Sequence, residues 1–229
     1  MTTYLLMWLE APLQSWGYDS KFNRRDTLNF PTKSGILGLI CCALGAAGEQ
    51  LELLSTFSTL SQTVLSYTRQ KRECEPMLCD FHMVGSAYNE KNPWESLLIP
   101  KTSDGKKSVG GGAKMTYRYY LQDMAFAVIV EVPVKISTDL SEALQNPIWD
   151  LYLGRKNCAP TDFIYRGLFS SDSQAYSMAM DIAEQKALKY QFKVMEGDHN
   201  GDVMVLNDVP IQFGVHKKYR DRRVTIVYP

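Results

Sequence analysis

Short apolar runs separated by polar turns dominate the first part of the chain. Residues 4–9 form a continuous apolar run that predicts a buried strand. Apolar residues then recur at helical spacing over residues 36–44, and Thr32 or Ser34 just before them is a suitable N-cap. The pattern therefore predicts a strand, a polar loop and a helix whose first turn carries Lys33.

The later segments contain more strands than helices. Strand patterns cover residues 63–68, 81–84, 115–120, 125–130, 189–194, 203–206 and 224–228. A weak helical pattern spans residues 50–60, and a further helix is predicted to begin at Asp139 and to end before Pro147. Residues 161–229 show no long helical pattern, so this part is predicted to be β-rich.

This order of elements predicts an α+β fold. A ferredoxin-like, or RNA-recognition-motif, core fits it best, with a first domain over residues 1–150 and a small β-rich C-terminal subdomain over residues 151–229. Residues 88–114 lack periodicity and contain several lysines, glycines and prolines. A patternless stretch of this length inside a compact domain is usually either functional or disordered.

Composition narrows the possible classes. Of the 229 residues, 45% are hydrophobic, which is enough for a sizeable core. Lys and Arg total 25 and Asp and Glu total 25, so any binding to nucleic acid must come from local patches. No stretch approaches the roughly 20 apolar residues that a membrane-spanning helix needs, and the N-terminus does not resemble a signal peptide.

Cysteine usage indicates a reducing compartment and no metal site. The five cysteines are odd in number and include the adjacent pair Cys41 and Cys42, which favours a cytoplasmic protein. Cys74, Cys79 and His82 are the only residues with a spacing that resembles a zinc site. Because structural zinc takes four ligands, we expect these thiols to bind no metal.

The predicted helix start at Lys33 and Ser34 could hold an anion. Free N–H groups and the positive end of the helix dipole favour negative charge there, and the lysine would add a mobile cation. The residues leave a second interpretation open, which is an ordinary capped helix with a solvated lysine.

Cations and aromatic residues occur together at several places in the chain. This combination holds single-stranded RNA, because cations bind phosphates and aromatic rings stack on bases. The cations are Arg24, Arg25, the lysines of residues 88–114, Arg155, Lys156 and the basic residues of 217–223; the aromatic residues are Trp16, Tyr18, Tyr88, Trp94, Tyr152 and Tyr219. Each group alone could equally be a solvated face.

Signals for catalysis are weak. The three histidines are His82, His199 and His216, and none has a partner that the sequence identifies. His82 is the best candidate for a general base in metal-free RNA cleavage, although a packing or RNA-contacting role fits it better. No hydrolase motif or cluster of carboxylates is present.

Five segments resemble the CRISPR-associated Cas5 family of the RAMP superfamily. They are residues 11–17 (APLQSWG), 25–27 (RDT), 30–39 (FPTKSGILGL), 81–84 (FHMV) and 152–158 (YLGRKNC), and they follow the order and spacing of the family. The resemblance covers nearly the whole chain. The helix start and the YLGRK segment are specific as a pair.

The resemblance implies a function as well as a fold. It implies an RNA-recognition-motif core, here the RNA-binding domain of residues 1–150, with a long β-hairpin thumb at about residues 82–118. Members of type I-E systems act in antiviral defence: they cap the 5′ handle of the crRNA within the Cascade complex, bridge its large subunit to its first backbone subunit, and meet target DNA only through the complex. No cofactor is implied.

The resemblance also implies which residues contact the handle. Lys33 and Ser34 would hold one phosphate, and Arg155 with Lys156 would hold a second stretch of backbone, whereas Trp16 or Tyr152 could instead belong to the core. The handle contacts carried over from the family are Gln14, Trp16, Arg25, Lys33, Ser34, His82, Arg155 and Lys156. The further residues Lys106, Lys107, Arg118 and Tyr152 complete the set of expected RNA contacts.

A sister group in type I-C systems cleaves precursor crRNA with a Tyr, a Lys and a His, the Lys and His being adjacent in that order. This chain has only the reversed pair His216-Lys217. The departure favours a non-catalytic subunit, and a metal-independent endoribonuclease remains the alternative.

Overall fold

The structure is a computed structural model that describes most of the chain. The described residues are 2–18, 20, 23–69, 77–84, 89, 91–97, 99, 101–107 and 114–229. Of the residues named above, Cys74 and Tyr88 lie outside this set.

Strands outnumber helices, as the sequence predicts. The strands are β1 (Thr2–Glu10), β2 (Leu13–Gln14), β3 (Arg24–Arg25), β4 (Gln62–Arg69), β5 (Leu78–Val84), β6 (Lys114–Gln122), β7 (Ala125–Pro133), β8 (Tyr165–Phe169), β9 (Leu188–Glu196), β10 (Asp202–Gln212) and β11 (Lys218–Val227). The helices are α1 (Lys33–Leu44), α2 (Leu51–Phe57), α3 (Pro93–Leu97), α4 (Val134–Gln145) and α5 (Asp172–Gln185). The mixed α+β class is confirmed.

One large antiparallel sheet organises the molecule. Its seven strands lie in the order β10-β11-β9-β4-β7-β1-β8. The interior strand β7 pairs with β1 on one side and with β4 on the other. It is buried along most of its length, because helices cover both faces of the sheet here and its Ala-Phe-Ala-Val-Ile-Val run has no polar face.

The core has two layers, one on each face of the sheet. On one face α1 and α4 pack over Leu5, Met7, Phe126 and Val128. On the other face α5 packs over a smaller cluster that includes Trp8 and Tyr67. Small α5 residues, Ala175, Ala179 and Ala183, are fully or almost fully buried there, so this helix lies close to the sheet.

Local capping explains the bounds of α1. The Thr32 hydroxyl accepts a hydrogen bond from the Gly35 N–H, and Gly45 ends the helix in the left-handed conformation with φ +66°. The predicted N-cap is therefore confirmed. A Cβ at Gly35 would lie 2.9 Å from a Trp16 ring carbon, so the glycine lets the indole pack on the first turn.

A second, smaller sheet stands beside the large one. Strands β5 and β6 form an antiparallel hairpin, from Leu78 opposite Tyr120 to Val84 opposite Lys114. We call these two strands the arm. The short strands β2 and β3 pair with β6 on its other edge, and β3 runs parallel to it. The arm thus occupies the region where the resemblance implies a thumb.

Two expectations about helices are wrong. The helix expected to begin at Asp139 begins at Val134, directly after β7, with Pro133 as the N-cap residue. The β-branched residues between Pro133 and Asp139 resemble a continuing strand in sequence, so the pattern does not indicate this first part of the helix. Residues 161–229 contain α5, a helix of 14 residues that the sequence pattern does not predict. Its buried side is mostly alanine, which gives little periodic contrast.

The part after residue 150 shares the large sheet with the part before it. Strand β8 pairs with β1, and β9 pairs with β4. The division into 1–150 and 151–229 stays a prediction. Among the helices of the described residues, none combines the length and apolar character that crossing a membrane requires.

Candidate nucleic-acid interface

Three arginines meet at the base of the arm. In the parallel pairing of β3 with β6, Arg25 lies in register with Arg118, so both side chains leave the same face. Arg155 reaches this point from the loop after α4, where its Nη2 donates a hydrogen bond to the Arg25 carbonyl oxygen at 2.9 Å. Its guanidinium lies over the Tyr120 ring, 4.6 Å from the ring centre. We call Arg25, Arg118 and Arg155 the arginine cluster.

The arginine cluster carries little neutralising charge. Within the described part of the chain, Arg25 and Arg118 form no ion pair, and the Arg155 Nη1 atom is buried without a hydrogen-bond partner. Asp80 lies opposite Arg118 on the same face, and its carboxylate contacts the His82 ring rather than a guanidinium group. A buried donor beside two unpaired guanidinium groups is an arrangement that favours an anion.

Arg24 differs from its neighbour Arg25. It lies over the Tyr119 ring, 4.7 Å from the ring centre, on the opposite face of the arm, and it donates to the Asp26 carboxylate at 2.9 Å. That carboxylate raises the pKa of Arg24 above its ordinary value. Arg24 therefore already has its counter-charge and does not belong to the arginine cluster.

The loop that presents Arg155 has a fixed backbone. Ser15 N–H donates to the Leu153 carbonyl at 3.1 Å, and Leu153 N–H donates to the Cys158 carbonyl at 2.8 Å. Gly154 has φ +100°, and a Cβ there would lie 1.7 Å from the Ser15 carbonyl oxygen. Only glycine fits this approach, which explains why the YLGRK segment contains it.

The other two predicted residues of this loop have different surroundings. Tyr152 is half-buried with its hydroxyl 3.5 Å from an Asp150 carboxylate oxygen, and Lys156 is exposed. Both remain accessible beside Arg155, so their contact with RNA stays a prediction.

Gln14 and Trp16 lie inside the protein. The Gln14 amide donates to the carbonyls of Met124 at 2.7 Å and Leu9 at 3.2 Å, and it accepts from the Trp16 indole N–H at 3.2 Å. Both side chains are almost fully buried. The alternative that Trp16 belongs to the core is thus supported, and both residues position the loop and α1 rather than lie open to a ligand.

The expectation of a mobile charge on Lys33 is wrong. The side chain is only 3% exposed, and its Nζ donates to the Leu60 carbonyl and to the Glu196 carboxylate, the latter at 2.8 Å. Burial lowers the pKa of Lys33, and the Glu196 carboxylate opposes that shift. The amine is already neutralised inside the protein.

The start of α1 does attract an anion, and the protein supplies it. The Lys33 backbone N–H donates to the Asp208 carboxylate at 2.7 Å. Arg222 donates to the same carboxylate through Nε at 2.7 Å and Nη2 at 2.9 Å, and through Nη1 to Glu196 at 2.8 Å. We call Lys33, Glu196, Asp208 and Arg222 the buried ion cluster.

The buried ion cluster alters the predicted phosphate site. The helix dipole favours negative charge there as expected, but a carboxylate from β10 takes the position expected for a phosphate. Ser34 beside it donates its hydroxyl to Thr32 Oγ1 at 3.3 Å and stays half-buried. No local signal identifies Asp208, because 175 positions separate it from Lys33.

The three histidines do not form one site. The His82 Nε2 contacts the Asp80 carboxylate on the arm, the His199 Nε2 contacts the Glu196 carbonyl, and His216 is exposed before β11. Among the described residues, no three metal-ligating side chains lie together. His82 shares its face of the arm with Arg118, two positions along the paired strand, which suits an RNA-contacting histidine.

Two of the predicted lysines lie in the chain segment that connects the two strands of the arm. Lys106 and Lys107 are exposed in the connection from β5 to β6, where Lys107 pairs with Lys101 in an isolated bridge. Their contact with RNA stays a prediction.

Comparisons with known proteins agree on one family. The family model described as CRISPR-associated protein (Cas_Cas5) matches residues 4–225. The Cascade subunit CasD of Escherichia coli (strain K12) is 30% identical over 170 residues, which are 73% of this chain and 71% of that protein.

Two solved structures resemble the fold. A chain of a CRISPR RNA-guided surveillance complex is 24% identical, with a TM-score of 0.71 over 98% of this chain and 89% of that chain. A crystal structure of a Cas protein is 25% identical, with a TM-score of 0.64 over 99% and 95% of the two chains. From the family match over nearly its whole length, this chain belongs to the CRISPR-associated Cas5 family.

Proposed function

We propose that this chain is a non-catalytic subunit of a type I-E Cascade complex, in which it binds and caps the 5′ handle of the crRNA. The E. coli relative is a Cascade subunit, and it is similar over 73% of this chain. In this role the chain bridges the large subunit and the backbone filament in the cytoplasm, and it meets target DNA only through the complex.

The proposal includes a ferredoxin-like core. Elements β1, α1, β4, β7, α4 and β8 follow the βαββαβ order, and their strands are adjacent as β8-β1-β7-β4, all antiparallel. This order and pairing support a split βαβ core of the RNA-recognition-motif type. The sheet then extends beyond β4 through β9, β11 and β10.

The arginine cluster is the observation that carries the proposal. Arg25 and Arg118 have no ion-pair partner among the described residues, and Arg155 is held beside them by the Arg25 carbonyl. Guanidinium groups bind phosphate oxygens in a bidentate manner, so three of them on one face suit a folded RNA backbone. His82 lies on the same face and adds a ring that can stack on a base or donate to a phosphate.

Arginine substitutions test this role. We expect Arg118→Ala and Arg155→Ala to weaken binding of the co-purifying crRNA about ten-fold each, since each removes a charged hydrogen bond. The slope of log K against log salt should become shallower by about 0.7 for each phosphate that a variant no longer binds. Fluorescence anisotropy at several salt concentrations measures both quantities.

Arg223 provides a matched control. It is an exposed arginine on β11, paired with Asp198 and separate from the arm. Arg223→Ala should leave affinity and salt dependence unchanged. If Arg118→Ala and Arg155→Ala behave like this control, the arginine cluster does not bind the RNA.

The proposal that the subunit has no catalytic activity is tested separately. Purified protein should leave precursor crRNA intact in EDTA over hours. Clean cleavage that disappears in His82→Ala would establish the alternative, a metal-independent endoribonuclease.

A further inference from the structure

A groove runs along the exposed side of α1 and past its N-terminus. It consists of two adjoining volumes of about 610 and 540 Å³, which share Gly17, Ser34, Lys217 and Tyr219. Each volume falls in the range of roughly 300–1,000 Å³ that small-molecule sites occupy. Neither volume includes a residue of the arginine cluster.

The first volume has the shape and chemistry for a flat apolar group. Its floor is the side of α1 that carries Gly38 and Cys42, where small side chains leave the helix surface open. A Cβ built at Gly38 would meet nothing within 4 Å. Four aromatic residues line the same volume, Trp16, Trp149, Phe213 and Tyr219, and of these Trp149 is 45% exposed.

The second volume is more polar and carries a cation. Lys217 lies at the junction of the two volumes, and Ser34 and Tyr219 add hydroxyl groups there. The Asp208 carboxylate also lines this volume, but Arg222 and the Lys33 N–H already neutralise it. Among the lining residues that the structure describes, Lys217 therefore faces no carboxylate that is still without a partner.

The groove begins where the arginine cluster ends. Gly154 lines the first volume, and the next residue, Arg155, belongs to the arginine cluster. A chain molecule whose phosphates lie on the cluster can therefore continue past Gly154 onto α1 without leaving the protein surface.

We propose that this groove is a nucleotide subsite that takes unpaired nucleotides of the same RNA. A base lies over Gly38 against Trp149, and a phosphate lies at Lys217. The inference rests on the proposed function and extends it to residues on α1, the loop before Leu151 and the β10–β11 turn. A flat base is the occupant because aromatic stacking and a single cation are the recognised features of single-strand binding.

Filling the groove tests the subsite. Gly38→Phe places a ring in the open space over α1, and Gly38→Ala is its matched control because the methyl group meets no neighbour. With a single-stranded RNA of about twelve nucleotides as probe, we expect Gly38→Phe to weaken binding about ten-fold and Gly38→Ala less than about two-fold. Thermal unfolding checks that both variants fold.

A second variant and a chemical readout make the test independent of Gly38. In Lys217→Ala the slope of log K against log salt should become shallower by about 0.7, the value for one lost phosphate contact. Ultraviolet crosslinking followed by peptide mapping should place RNA on Trp149 or Tyr219 in the wild-type protein and not in Gly38→Phe.

The outcomes separate the two proposals. If Arg155→Ala weakens binding while Gly38→Phe and Lys217→Ala do not, the groove is not a nucleotide subsite and the proposed function stands. Crosslinks confined to the arm, or a protein segment crosslinked in the groove, also overturn the subsite. If the wild-type protein binds no RNA, both proposals fail.

Discussion

Arg222 is the residue on which the buried ion cluster depends. Its guanidinium contacts the carboxylates of both Asp208 and Glu196, and it is only 8% exposed. Without it Asp208 would retain one N–H from α1, and Glu196 would retain only the Lys33 amine. A buried ion pair adds little to stability by itself, but removal of one partner leaves an uncompensated charge.

We therefore expect Arg222→Ala to lower the free energy of unfolding by about 3–5 kcal/mol. Urea denaturation followed by circular dichroism measures the change. Arg223→Ala, whose side chain is 64% exposed, should cost at most about 1 kcal/mol. Equal losses in the two variants would contradict a special role for Arg222.

A pH effect is expected at Asp162. Burial raises the pKa of this carboxyl, but hydrogen bonds from Lys186 and the Phe163 N–H, with the Arg166 charge, outweigh it and hold the pKa below its ordinary value of 3.8. Its stabilising contribution is fully present above pH 3.8 and is lost as the pH falls through the lower folded-state pKa.

Asp162→Asn should therefore destabilise the protein at neutral pH, and the difference from wild type should shrink as the pH falls below 3.8. Urea midpoints across a pH series test this. The control variant is Asp139→Asn, which removes an exposed carboxylate on α4 instead. A constant gap between Asp162→Asn and wild type would refute the linkage.

At the scale of elements, the loop of residues 151–158 depends on one glycine. We expect Gly154→Ala to cost well over about 1 kcal/mol, because alanine at positive φ is strained and its Cβ would meet the Ser15 carbonyl. RNA affinity should fall with it, since Arg155 is the next residue. Gly17→Ala is a stability control, as its Cβ meets nothing within 4 Å. Equal unfolding midpoints for the two variants would contradict this account.

The elements that can be predicted from sequence have strong periodic contrast or clear caps. Helix α1 has both, in its apolar spacing and in Thr32 and Gly45, so its bounds are predictable. Helix α5 is not predicted because its buried side consists mostly of alanines. The predicted start of α4 is too late because Val134 and Ile136 are β-branched and favour a strand in the sequence pattern. A local sequence pattern shows only which side chains are apolar or polar, whereas the packing of these two helices on the sheet determines where they form.

The site is only partly predictable for a related reason. Arg25 and Arg155 are identified from the resemblance, Arg118 is a further expected RNA contact, and the fold brings the three to one place. The burial of Lys33 cannot be inferred from sequence, because its partners Glu196 and Asp208 come from distant strands. Sequence patterns show which residues are charged, but only the tertiary structure determines which charges are already paired.

At the scale of the whole molecule, residues 1–150 and 151–229 together form the large sheet and both layers of the core. Removal of residues 151–229 would delete β8, leave both edges of β1-β7-β4 unpaired and remove three members of the buried ion cluster. We therefore expect residues 1–150 alone to lack a cooperative unfolding transition and to aggregate, as measured by thermal denaturation and size-exclusion chromatography. The control is residues 1–229, treated identically. A monomeric, cooperatively folded fragment would instead identify residues 1–150 as an autonomous domain.

The tie between Lys33 and Asp208 also has a consequence during translation. Helix α1 is synthesised well before strands β9 to β11. Until residues 196–222 have emerged, its first N–H group lacks its carboxylate partner and the Lys33 amine has only the Leu60 carbonyl. A nascent chain that ends before Arg222 therefore holds an incompletely neutralised ion cluster beside an apolar core. Folding of this region therefore waits for strands β9 to β11, although all three residues of the arginine cluster are synthesised before them.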